Sequence, residues 1–458
     1  MRRLTAPASS PKFWRTTWSG LVCWLAIKEP TFCRQALDRY RGGHWIHVRS
    51  TCLSRPKTPE VQHSRIALQA LKSILARLVF YAFAAVQGLF IMPLLRLAWP
   101  IFAVKVVCVP GNRVGHLAHD PGSVLLKRNA EGRNTWYVIS TPPVANTYIR
   151  DVYARDMTFI EGKRLNELIQ FTVPVMKFWG MYQEPPYTLN VYSTYSSGAR
   201  TLAFPKELEQ EGAAQLARQG IQEHAWLVAF HARERQYFLK HFPDTDLSRH
   251  DFRDADITSY LKAAEHIASL GGYALRMGTR DAIPLPTGRH CNVIDYATTF
   301  SSQLLDFYIC TKSRFILANT SGLYAIGTVA GVPVAAANMV PLFTIPITPK
   351  DLFIPKLLKR KGEDRYLTFR EIAGMGAGDF YDVRQYEEFG LEVIDNTEDE
   401  ILDLCIEMLD RLDGVAPPDA DRDRQLAFRQ FVIQHHPEMR NTGDISYRFL
   451  ARHPYLLK

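Results

Sequence analysis

The chain has 458 residues, of which 47% are hydrophobic and 22% charged, a balance that excludes a disordered or fibrous protein and allows two or three domains, each with its own core. The formal charge of +9 belongs to one leading segment: twelve Lys/Arg face three Asp/Glu between Met1 and Ile66, and the remainder is neutral. No nucleic-acid-binding surface is therefore expected. Seven scattered cysteines without CxxC spacing exclude a zinc module and point to reduced thiols, small buried hydrophobes, in a cytoplasmic protein.

Residues 1–66 hold four of the eight Trp and little periodicity, and read as a basic, poorly ordered extension. Leu21–Ile27 is too short and too far from the start for a signal peptide. Residues 67–104 form an apolar helical segment. Leu78–Leu95 has no charge between Arg77 and Arg96, which is long enough to cross a bilayer. Pro93 and Pro100 interrupt it, Gln87 and Gly88 sit at its middle, and the basic arm before it would place everything after Arg96 outside. The reading is a helix lying on the inner membrane face, with a buried helix or a true span as alternatives.

Val104–Val109 reads as a first strand and Trp136–Ser140 as a second. Helical patterns follow at 160–180, and Tyr187–Tyr192 suggests another strand. A polar helix over 205–219 connects the domains. The pattern then alternates regularly, with strands at Trp226–Phe230, Tyr273–Met277, Val293–Ile294, Phe315–Ala318 and Val332–Ala336. Helices fall at Ile257–Leu270, Leu304–Cys310 and Tyr324–Ala330. Alternation with short connections predicts a doubly wound parallel sheet. Thr397 and Glu400 form a capping box before the helix Asp399–Leu412. Pro417-Pro418 opens a tail. The expected domains are 105–205 (acceptor) and 206–415 (donor), with 416–458 as the tail.

Three predicted strands deliver polar clusters at their carboxyl ends: His231-Ala232-Arg233-Glu234, Arg276-Met277-Gly278 and Asn319-Thr320-Ser321-Gly322. On one sheet edge these supply two guanidiniums, hydroxyls and a helix amino end. That is an anion site without a P-loop Lys, suited to a diphosphate. Gly322 permits close approach of a ligand to the backbone. Asp306 reads as a turn acid or cap, as do Asp244-Thr245-Asp246 and Asp254-Ala255-Asp256 despite their DxD spacing, while Asp295 stays open between a turn acid or cap and a functional acid. No metal site is read. In the amino domain, Gly111-Asn112-Arg113-Val114-Gly115-His116 is not a dinucleotide fingerprint, but it places His116 or Asp120 as a general base.

The segments NRVGHLA, FHARE, LRMG, VIDYA, FILANTSG, GVPV and IDNTEDEI, in this order from about Val104 to Leu412, resemble a family of bacterial GT-B-type glycosyltransferases associated with surface-polysaccharide gene clusters. The His-x-Arg and Ser-Gly elements are also similar to the donor sites of GT-B fucosyltransferases. The resemblance implies two Rossmann-like domains facing across a cleft, preceded by the apolar helical segment. It makes Arg233 a ligand of the donor phosphates, Arg276 a second donor-side contact and Ser321-Gly322 the turn beneath them, with His231, Gly278, Asn319 and Thr320 around the donor. The family pattern has an acidic residue soon after RxGHLA. Here that place holds His119-Asp120, so the base stays open between His116 and Asp120.

The expected function is metal-independent transfer of a sugar from a nucleotide-activated donor, a co-substrate rather than a cofactor, to a glycan or lipid-linked acceptor. A sugar-nucleotide epimerase or hydrolase would use the same cleft but turn over donor alone. A non-catalytic scaffold would bind no donor.

Overall fold

The computed structural model describes residue 75 and residues 78–131, 135–185, 195, 198–222, 224–235, 240, 248–346 and 348–458. The chain divides into two compact units, Met1–Leu71 and Lys72–Lys458. The first lies outside the described residues, as do the strand expected at Tyr187–Tyr192 and the acids Asp244 and Asp246. The second unit holds both parallel sheets.

The apolar segment is one helix, α1 (Leu78–Leu97), with a π-turn at Gln87–Ile91. It leads into β1 (Ala103–Cys108), which heads a parallel sheet of order β1-β2-β3. Here β2 is Thr135–Thr141 and β3 is Thr158–Glu161. Tyr182 adds a parallel bridge on the open side of β1, at Val106. The helices α2 (Val114–Glu131), α3 (Thr147–Tyr153), α4 (Lys163–Phe171) and α5 (Val173–Phe178) connect or flank these strands.

After α6 (Glu209–Ala217) comes a sheet of seven parallel strands, in the order β12-β9-β8-β7-β4-β5-β6. These are β4 (Leu227–His231), β5 (Tyr273–Arg276), β6 (Val293–Ile294), β7 (Phe315–Ala318), β8 (Val334–Met339), β9 (Leu352–Pro355) and β12 (Asp444–Ile445). The central strands are continuous apolar runs because helices cover both faces; every residue of β7 and β8 is buried. Helices α7 (Leu261–Ser269), α8 (Gln303–Lys312) and α9 (Tyr324–Ala330) link them. A two-stranded antiparallel ribbon, β10 (Leu357–Arg360) with β11 (Leu391–Ile394), stands apart.

The α/β fold is thus the one expected, and strand β7 and helix α9 fall on the expected residues. The capping box is present at α10 (Glu398–Leu412): Glu400 N donates to Thr397 Oγ1 at 3.2 Å and Thr397 N to Glu400 Oε2 at 2.7 Å. Residues 416–458 are more than a tail. They carry α11 (Asp419–His435), the edge strand β12, which pairs in parallel with β9, and α12 (Tyr447–Arg452). Glu407 of α10 holds this segment, accepting from Ser446 Oγ at 2.5 Å and Tyr447 N at 3.1 Å.

The small sheet has a core of its own, Val107, Val109, Val124, Tyr137, Ile139 and Met157, while helices of the same half join the core of the large sheet. Leu117 and Ala118 of α2, with Ile149 and Tyr153 of α3, belong to the same buried cluster as Phe230 and Ile326.

Candidate functional site

From β6 to β9 the strand order is that of a doubly wound sheet, and the direction of winding reverses between β4 and β7. Loops leaving the two strands at such a point diverge to opposite faces and open a crevice at their carboxyl ends. Register sets the levels: Phe230 pairs with both Arg276 and Leu317, and His231 with Ala318. The three clusters expected at one sheet edge are therefore brought to one edge.

Side chains tie them together. Arg233 N donates to Asn319 Oδ1 at 2.9 Å, and Asn319 Nδ2 donates to Arg253 O at 2.9 Å. His231 Nδ1 lies 3.0 Å from Met277 O. Burial pushes His231 down to about 4, so its ring is neutral at physiological pH. Gly278 has φ 154°, a conformation that side-chain-bearing residues rarely adopt, and turns the chain after β5. Thr320 Oγ1 accepts from Val340 N at 3.2 Å.

The two expected guanidiniums differ. Arg276 is 1% exposed and is held by Glu234 Oε1 at 2.6 Å, Asp295 Oδ1 at 3.0 Å and Ile283 O at 2.9 Å. Burial would raise Asp295, but the Leu285 N–H and Arg276 outweigh it and hold its carboxyl below the usual range. Asp295 is thus the ion-pair partner of Arg276, and the turn-acid reading gives way. Asp306 is not a cap either. Ser302 caps α8, while Asp306 accepts from Tyr296 Oη at 2.8 Å, and burial raises it to about 6. Arg233 pairs with Asp254 and donates to His250 O at 3.0 Å. Of the Asp254-Ala255-Asp256 run, only Asp256 caps a helical turn, accepting from Thr258 N at 2.9 Å.

Arg253 is the residue that the sequence pattern does not single out. Its Nη2 and Nε donate to Thr320 O at 2.7 and 3.2 Å. No carboxylate lies within ion-pair distance of it among the described residues. Burial, then repulsion from Arg233, pulls it down to about 10. Burial lowers both Arg233 and His250, and Arg113, from the turn after β1, is close enough to add to it. Beside Thr320, the buried Ser321 Oγ has no hydrogen-bond partner among the described residues, and neither does His250 Nδ1. Unsatisfied buried polar atoms within a cationic cluster leave room for an anionic ligand to satisfy them. Helix α9 starts at Tyr324, past Gly322, and has only seven residues, so the side chains carry more of this site than its amino end.

The first turn of the small sheet meets this edge directly. A Cβ built on Gly115 would stand 2.8 Å from Gly322 Cα, and one on Gly322 would stand 3.0 Å from Gly115 N. Glycine at both places is what lets the two backbones touch. One residue further on, His116 Nδ1 lies 3.1 Å from Asp120 Oδ2, four residues along the same face of α2. The His116 side chain is 38% exposed and that of Asp120 6%. Burial raises Asp120, opposed by the hydrogen bond to His116. Asn146, after β2, adds a second bridge between the halves through Nδ2 to Gln303 O at 2.7 Å.

The architecture is a pair of parallel α/β sheets whose carboxyl-end turns meet around a cationic edge. Among solved structures, the chain is similar to a glycosyl transferase family 9 protein from Veillonella parvula DSM 2008, at 9% identity and TM-score 0.41, over 67% of this chain and 97% of that one. It is also similar to the dodecameric iron-containing heptosyltransferase TibC of enterotoxigenic E. coli H10407 in complex with ADP-D-beta-D-heptose, at 12% identity and TM-score 0.35, over 68% and 78%. A third similar structure is the E. coli heptosyltransferase WaaC with ADP, at 10% identity and TM-score 0.29, over 63% and 99%. No protein-family model and no curated protein matches the sequence.

Proposed function

We propose that this chain is a GT-B-type glycosyltransferase that moves a sugar from a nucleotide-activated donor to a hydroxyl of an acceptor glycan. The observation that carries the reading is Arg253: a cation fixed by the Thr320 carbonyl, with no carboxylate partner among the described residues, next to the unsatisfied Ser321 hydroxyl at the winding reversal of the large sheet. In this reading Arg253, Ser321 Oγ and the Arg113 side bind the donor diphosphate. Arg233, neutralised in part by Asp254, fixes the loop and adds field, while Arg276 positions the chain between Glu234 and Asp295 without touching donor. Asn319 locks Arg233 and Arg253 to the edge of β7.

The acceptor oxygen attacks the anomeric carbon, and the bond from that carbon to the phosphate oxygen breaks, its electron pair leaving with the diphosphate. The guanidiniums offset the charge that develops there, so the reading needs no metal ion. His116 Nε2 takes the hydroxyl proton, and Asp120 accepts the Nδ1–H and so fixes the tautomer and ring. This divides the two base candidates into a base and its orienting partner. ADP-heptose, bound by TibC, joins the UDP-, GDP-, CMP- and dTDP-sugars as a donor to try.

A thermal-shift screen against that panel tests the reading. For a donor that binds, Arg253→Met and Ser321→Ala each weaken affinity, the first by roughly 10–150-fold, the worth of a hydrogen bond to a charged group. If both variants fold and bind the donor as tightly as the parent chain, this site is not where the donor sits.

A further inference from the structure

Among the described residues, the amino half bears an apolar surface that the fold leaves uncovered. Helix α1 is 20 residues long, yet only 11% of it is buried. At 1.5 Å per residue it measures about 30 Å, close to the thickness of a bilayer's hydrocarbon layer. Leu78, Leu89, Phe90, Leu94 and Leu97 are all at least 60% exposed. Single exposed apolar residues are ordinary, but a row of this length on a folded domain, uncharged from Leu78 to Leu95, is not. The surface continues off the helix. Phe171, at the end of α4, packs on Phe80 and Tyr81 at centroid distances of 5.2 and 5.3 Å, and Phe178, at the end of α5, is 83% exposed.

The rim of this surface is aromatic and basic. Arg96 stands 4.7 Å and Lys105 5.0 Å from the Trp99 ring centroid; Lys177 stands 5.4 Å from the Tyr182 ring and pairs with Glu184. Such pairs suit the headgroup level, where rings straddle the boundary and cations reach outward. From Ala67 to Lys105 the sequence has four basic residues and no acidic one. Glu184 offsets Lys177, but Arg96 and Lys105 leave the rim net basic, so a second copy of the chain would bring like charge to it, whereas an anionic leaflet brings the complement. The other side of α1 is committed to protein: Met92 is buried with Cys108, Ile169, Met176 and Met181, and Gly88 abuts Val175. A helix held by protein along one side and exposed along the other has the geometry of one lying in the interface.

We propose that α1, with the exposed ends of α4 and α5, is a membrane-docking face that sinks into the headgroup–acyl boundary of an anionic leaflet. This face stands independently of the transferase reading. A lipid-linked acceptor, presented to the half that carries His116, follows only where both hold.

Vesicle co-sedimentation of the full chain, without donor or acceptor, tests it. The chain is expected to sediment with phosphatidylglycerol–phosphatidylcholine vesicles and weakly with phosphatidylcholine alone. Leu89→Asp with Phe90→Asp should cut the partition by about tenfold or more, since two apolar side chains leave the hydrocarbon. Arg96→Gln should cut it about fivefold and flatten its salt dependence. Because these side chains are exposed, the melting temperature should hold, and circular dichroism checks it. The proposal is overturned if the double variant still sediments like the parent, which would assign binding to another segment. It is equally overturned if the parent ignores anionic vesicles, or forms a dimer that the double variant abolishes. Donor binding is read separately, so failure of one proposal leaves the other standing.

Discussion

The touch between Gly115 and Gly322 predicts an unusual outcome for a single methyl group. Gly115 lies in the first turn of α2, where alanine is ordinarily preferred to glycine by about 1 kcal/mol. Taken alone, Gly115→Ala should stabilise. The added Cβ would, however, stand 2.8 Å from Gly322 Cα and 3.2 Å from Gly322 O. Carbon atoms in good contact are about 3.5–4.0 Å apart, so the two backbones must part by roughly 0.7–1.2 Å. No side chain can rotate away, because the obstacle is main chain. Overpacking of this kind costs about 1–3 kcal/mol, and against a main-chain obstacle the upper part of that range applies, which outweighs the helix gain. The expected result is a melting temperature lower by roughly 1–5 °C. Donor affinity should fall about tenfold or more, because the Arg113 side is moved off the Arg253–Ser321 edge by a distance that matters for positioning. Gly122→Ala, on the same helix, is the control. Its Cβ would press the hydroxyls of Tyr153, Tyr195 and Thr201, so it should lose stability and keep donor affinity. Calorimetric unfolding with titration of the bound nucleotide sugar reads both effects. A Gly115→Ala chain that melts higher than the parent and binds donor equally well would refute the claim that this contact holds the two halves in working register.

Arg276→Met leaves Glu234 and Asp295 without their cation and should cost about 3–5 kcal/mol in unfolding free energy, more than Arg253→Met, whose partner is a carbonyl; denaturant melts rank the two. Asp306→Asn should stabilise the chain above about pH 7 by roughly 1–3 kcal/mol. Burial raises the folded Asp306 to about 6, so the stability that goes with its protonated form is lost as pH rises through that value, and the advantage of Asn should fade by about pH 4 in melts across pH. Asp120→Asn, which removes the acceptor that fixes His116, should lower turnover of donor with acceptor by about 10²-fold or more while leaving donor affinity within about twofold; equal loss in both would make Asp120 structural.

Much of the large sheet was legible because its strands are short, mostly apolar runs bounded by glycine or polar clusters. Burial on both faces demands such a pattern, and β7 and α9 fall where it puts them. The pieces that escaped are those without that demand. The ribbon β10–β11 sits outside the main sheet, and β12 has two residues, too few for any period. Within the site, the clusters after β4, β5 and β7 could be read as sharing an edge, since parallel strands all end on the same side.

The sequence by itself determined the class of fold, the uncharged length of α1 and which loops gather at the carboxyl edge. Those rest on periodicity and on the side at which parallel strands end. Tertiary structure alone decided which charges stay available. Arg233 and Arg276 look equivalent in sequence, yet Asp254, Glu234 and Asp295, brought in from the turns after other elements, engage them, while Arg253 arrives from the helical turn Ser248–Arg253 to rest on the Thr320 carbonyl. A side chain's charge is written in the sequence. Whether another group cancels it depends on through-space neighbours that no local pattern encodes, and the same holds for the meeting of Gly115 with Gly322, two glycines some two hundred residues apart.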